Sequence, residues 1–72
     1  MENVYVVFDS DNFISGVYRT LESAKECALE VIEYYCDKYL CDESEKSGYI
    51  LELNDGLYVD EIVYISVETL YD

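Results

Sequence analysis

The sequence predicts an α+β domain of order ββαββ, a four-stranded antiparallel sheet with one long helix packed on one face. Three observations carry this. Two β-branched and aromatic runs, "VYVVF" and "FISGVYR", flank the turn-forming "DSDN" near the start. A 3.6-residue apolar pattern then runs from Leu21 to about Cys41. Finally "YILEL", "NDG" and "IVYISVETL" read as strand, turn and strand. One helix across one sheet face is the simplest two-layer arrangement of such elements.

The first two runs place strands at Val4–Phe8 and Phe13–Arg19, with Gly16 as a bulge or close-packing point. Thr20 is the expected helix N-cap and Glu22 sits in the first turn, where the helix dipole favours it. On a helical wheel Leu21, Ala24, Ala28, Val31, Ile32, Tyr35 and Tyr39 share the core arc, while Leu40 falls outside it and marks the end of the helix. "DESEKSG", residues 42–48, reads as a polar loop. Tyr49–Leu53 reads as a strand, Asn54-Asp55-Gly56 as a hairpin turn and Leu57–Val59 as its return. Asp60 and Glu61 mark a bend or bulge before the strand Ile62–Leu70. That strand alternates Val63, Ile65 and Val67 on one side with Ile62, Tyr64, Ser66 and Glu68 on the other. Both sides carry apolar residues, so Ile62 and Tyr64 are expected on an open face suited to self-association.

At 72 residues the chain is read as one domain, residues 1–72, with a core small enough to need good packing or a partner. Nine tyrosines exceed what such a core can hold, and exposed Tyr favours interfaces. Seventeen acids stand against four bases, Arg19, Lys25, Lys38 and Lys46, for a net charge of -13. That balance argues against direct contact with nucleic acid or anionic membrane and towards a basic protein partner or a need for solubility. No apolar run reaches the ~18 residues of a membrane span. The start of the chain lacks the basic and apolar regions of a signal peptide. The expectation is a cytoplasmic protein in which Cys27, Cys36 and Cys41 stay reduced.

Chemistry-bearing motifs are sparse. Without His there is no ready general base, and no phosphate loop or nucleophile pair is present. The reading is a non-enzyme with no cofactor. The cysteine gaps of eight and four residues do not match zinc-site spacing, so no metal is expected. Asp9, Asp11 and Asn12 open like a calcium loop. Phe13, Ile14 and Thr20 then stand where a ligand, the turn glycine and the closing Glu belong.

The most unusual feature lies on the helix. Glu22, Glu26, Glu30, Glu33 and Asp37 fall within roughly 80° of one another, nearly opposite the core arc. An acidic chain puts acids on its wet face for want of another place, but interleaved Lys at i,i+4 is the ordinary accompaniment and is missing here. The row spans about 22 Å, over which a DNA strand carries about six phosphates. This is the physical content of a nucleic-acid mimic, with Tyr34 beside the stripe as an apolar contact and Asp42, Glu43 and Glu45 extending the acidic surface.

The stretch "VYVVFDSDNFISGVYRTLESAKECALE", residues 4–30, resembles the start of many small uncharacterised bacteriophage and prophage proteins, with their short hairpin, "GVY-x-T" strand end and "E-x-A-K-E" helix start. In kind, the chain is similar to phage inhibitors such as anti-CRISPR proteins and uracil-DNA glycosylase inhibitors. The resemblance implies a phage-borne, anti-defence protein acting in the host-cell cytoplasm. The expected function is that of an acidic decoy binding a basic, nucleic-acid-handling surface of a host or defence protein. The alternative is a self- or hetero-associating structural or regulatory module, with a homodimer as one form, that uses the tyrosine-bearing sheet face.

Overall fold

The computed structural model describes residues 2–59 and 61–70. The elements in chain order are β1 (Glu2–Phe8), β2 (Ile14–Tyr18), α1 (Leu21–Tyr39), α2 (Glu43–Asp55), β3 (Tyr58–Val59) and β4 (Val63–Leu70). The four strands form one sheet in the order β2-β1-β4-β3, every pairing antiparallel. The expected α+β class and four-stranded antiparallel sheet are present, but with two helices instead of one.

The N-terminal half follows its local chemistry. Asp9 Oδ1 accepts the backbone N–H groups of Asp11 (2.9 Å) and Phe13 (3.0 Å) and so closes the β1–β2 turn. The carboxylate that opened the calcium-like motif is therefore committed to the turn. The register slips between Val7 and Phe8, which face Gly16 and Ile14. The Tyr18 ring lies over Gly16, where an added Cβ would come within 2.6 Å of it and would force the ring to move. Thr20 caps α1, its Oγ1 accepting the Ser23 N–H at 3.2 Å.

α1 turns Ala24, Ala28, Ile32 and Cys36 inward as one i,i+4 row. They meet Val7, Val59, Ile62, Val63, Ile65 and Leu53 in a single core cluster. The arc drawn from the sequence needs correcting at its C-terminal end. Cys36 is buried, and Tyr39 is exposed, tilted against Tyr35 at a centroid distance of 4.6 Å. The helix ends where Leu40 left the pattern. Leu40 takes the left-handed conformation (φ 54°), is 88% exposed, and its N–H bonds the Cys36 carbonyl. A side chain in that conformation costs roughly 1–2 kcal/mol. Leu40→Gly is therefore expected to stabilise the fold by about 0.5 kcal/mol after glycine's larger unfolded-state entropy is counted, raising the melting temperature by roughly 2–4 °C.

The second half departs from expectation. Residues 42–48 are not a loop and Tyr49–Leu53 is not a strand, because both belong to α2. Asp42 is its N-cap, Oδ1 accepting the Glu45 N–H at 2.8 Å, and Glu43 and Glu45 occupy the first turn. Leu53 is buried and Lys46, Tyr49 and Ile50 are half-buried, at helical spacing. Asn54-Asp55-Gly56 is correspondingly the helix end and not a hairpin turn, with the Gly56 N–H bonding the Leu53 carbonyl. The hairpin turn lies further on, where the Ile62 N–H bonds the Val59 carbonyl (2.8 Å) and Glu61 has φ 61°. Asp60, expected to share that bend, lies outside the described residues. Asp42→Ala is expected to cost about 1 kcal/mol in urea denaturation, a loss that a loop at 42–48 would not show.

α2 lies beside α1 and reaches the sheet only at β3. The Lys25 ammonium donates to the Asn54 carbonyl (3.2 Å) and Tyr35 meets Tyr49 edge-on at 6.3 Å. The early part of α1 thus faces the late part of α2, as in an antiparallel helix pair.

Candidate acidic interface

All six predicted partner-binding residues stand on one exposed face of a continuous helix. Glu22, Glu26, Glu30, Glu33 and Asp37 are exposed, and Tyr34 is 69% exposed at the edge of the row. The buried row 24-28-32-36 holds α1 against the sheet and aims the stripe away from it. Two of the four bases in the chain are engaged elsewhere. Lys25 serves the α2 carbonyl, and Lys38 lies over the Tyr39 ring at 5.5 Å.

Both flanks of the stripe are shaped. On the α2 side a groove of about 250 Å³ has Leu29, Ile50 and Leu53 in its lining, with Glu22 and Glu26 beside them. On the other flank Val31, Tyr34, Tyr35, Lys38 and Tyr39 meet the β1–β2 turn around a cleft of about 300 Å³. The stripe is thus a charged ridge between two partly apolar depressions.

Sequence reasoning misses Glu52 and Asp55, which it places on a strand and in a turn; both are exposed on α2, alongside Glu43 and Glu45. Asp42 is exposed as well, with one carboxylate oxygen accepting the Glu45 N–H as the α2 cap. The signal was present: Asp42 followed three residues later by Glu45 is a helix-start pattern.

The residues named for an oligomer face separate. Ile62 is 2% exposed, part of the core and outside β4, so it cannot contribute to a surface. It precedes the strand in the hairpin turn, where the alternation of β4 does not apply. Tyr64 does lie on the open face, stacked on Phe8 with ring centroids 4.7 Å apart and planes 13° apart.

Titration behaviour follows burial. Burial pushes the Tyr35 and Tyr49 hydroxyls up, and a hydrogen bond with Cys27 raises Tyr18. The Cys41 thiol is raised by burial and then by its hydrogen bond with Cys36, which makes it a weaker nucleophile at neutral pH. No group of three or more metal-capable side chains converges among the described residues. No described helix is long and apolar enough to cross a membrane. No protein-family model matches the chain, and neither a curated protein nor a solved structure does.

Proposed function

We propose that this protein is a non-catalytic, phage-borne inhibitor that binds a basic, nucleic-acid-handling surface of a host or antiphage-defence protein by nucleic-acid mimicry. One observation carries the reading. Five carboxylates and Tyr34 stand exposed along one face of a single helix, while Lys25 and Lys38 are held by other partners. A groove of Lys and Arg built for phosphates meets carboxylates at comparable linear density along a rigid rod. Leu29, Ile50 and Tyr34 on the flanks supply apolar contact that a nucleic-acid backbone lacks.

The mechanism is competitive blocking, and it needs no cofactor or metal. Its test is a pull-down from host lysate with the full chain as bait, eluted by rising salt. The expected capture is a DNA- or RNA-handling protein that leaves as salt rises, because exposed ion pairs are screened on the ~10 Å scale. A partner without nucleic-acid function, or one retained at high salt, would count against it.

A further inference from the structure

The groove between α1 and α2 has an apolar floor and an acidic rim. Leu53 is buried and Leu29 and Ile50 are half-buried, so the floor continues the core while its mouth stays open. No strand contributes to the lining. On the rim, Glu22 and Glu26 are exposed one turn apart along α1, and Glu30 continues their row a turn further on. Lys25 also lines the groove, but its ammonium donates to the Asn54 carbonyl at 3.2 Å. That carbonyl is among the last of α2, whose final turn holds no basic residue of its own. Lys46, one turn before Ile50, lies outside the lining. Two free carboxylates against one engaged ammonium leave the rim net negative.

We infer, resting on the basic partner proposed above, that this groove receives one large apolar side chain from a helix of that partner, with Lys or Arg beside it. Volume is the first argument. A closed cavity of about 150 Å³ holds a benzene molecule. A half-open groove of about 250 Å³ therefore takes a phenyl or leucyl side chain together with its stem. Charge is the second. A second copy of this chain, at net charge -13, would set its own acids against Glu22 and Glu26, whereas a cationic segment is drawn to the same rim. Spacing is the third. Glu22, Glu26 and Glu30 repeat every four residues, about 6 Å, which is the interval between Lys or Arg at i and i+4 on a helix lying alongside. A pair of antiparallel helices offers the channel into which such a helix packs, ridge into groove. Carboxylates alone attract any basic surface. The apolar anchor in its pocket selects one basic helix among them.

Two synthetic helical peptides test this. Both carry Lys residues one turn apart along one face, and they differ only in having Phe or Ala beside them. Titrated into the full chain, the Phe peptide is expected to bind ~10–100-fold more tightly than the Ala peptide. Its ring protons are expected to show nuclear Overhauser contacts with the Leu29 and Ile50 methyl groups. Ile50→Ala should cut the Phe-to-Ala ratio roughly threefold or more. Glu22→Gln with Glu26→Gln, both exposed, should weaken the two peptides alike and preserve the ratio. Leu51→Ala, exposed on α2 and outside the groove, should change neither. Equal affinity of the two peptides overturns the groove and leaves the acidic stripe standing, since both then bind through charge alone. Binding of neither overturns both readings. A wild-type mass of twice 8.4 kDa in sedimentation equilibrium that halves in Ile50→Ala would assign the groove to a second copy and overturn the proposal as well.

Discussion

Reversing Glu26, Glu30 and Glu33 to Lys is expected to weaken binding to the proposed basic partner ~100-fold or more and to leave the fold intact. Each exposed ion pair contributes about 1 kcal/mol at most, so losing three costs about 3 kcal/mol, roughly a 10²-fold weaker complex. Repulsion between the new lysines and the basic surface adds to this. The fold is indifferent because all three side chains are exposed and touch no part of the core. Each reversal adds two charges, moving the net charge from -13 to about -7, which relieves like-charge pairs along the helix. The melting temperature is therefore expected to hold or rise slightly. A thermal melt and a binding titration on the same preparation separate the two effects. A folded triple variant of wild-type affinity would exclude the stripe as the contact.

The second large effect concerns stability. Ile62→Ala is expected to cost about 2–4 kcal/mol, the range for a fully buried aliphatic side chain whose cavity does not collapse. In a domain of this size that is a large share of the total stability. Urea denaturation should show the midpoint falling steeply at an unchanged slope. Ile62 sits where the β3–β4 hairpin closes over the core, with Val59 and Val63 buried beside it. A surface role would instead leave the unfolding free energy within about 0.5 kcal/mol of wild type.

Ile62 also shows where sequence patterning fails. The strand period of two assigns a face only inside a strand, and Ile62 lies one residue before β4 begins. The α2 segment failed for a related reason. "YILEL" is short, and a run of that length fits a strand or a buried helix segment equally well. Gly48 suggested a break, yet a Cβ there would meet nothing, so the glycine sits on an open helix face. "NDG" then supplied a hairpin signal at what is the end of a helix. The Asp42-to-Glu45 cap and the spacing of Lys46, Tyr49, Ile50 and Leu53 outweigh these cues once α1 offers a surface to pack on.

Where local chemistry and packing agreed, the reading held. The β1–β2 hairpin, the Thr20 cap, the inward row of α1 and the alternation of Val63 and Ile65 are all present. The acidic stripe was legible for the same reason: a face opposite a buried row on a 19-residue helix has few other places to be. The open sheet face was foreseen in outline, but the pairing of Tyr64 with Phe8 depends on a register and on a strand order that one strand at a time does not reveal.

Nucleic-acid mimicry is tested most directly by competition. The captured partner is loaded with a fluorescent nucleic-acid duplex and titrated with the full chain while anisotropy is followed. Mimicry predicts full displacement of the duplex, with an affinity that falls steeply between about 0.05 and 0.5 M salt and is lost in the Glu26, Glu30 and Glu33 reversal. A ternary complex in which the duplex stays bound, or displacement insensitive to salt, would contradict it.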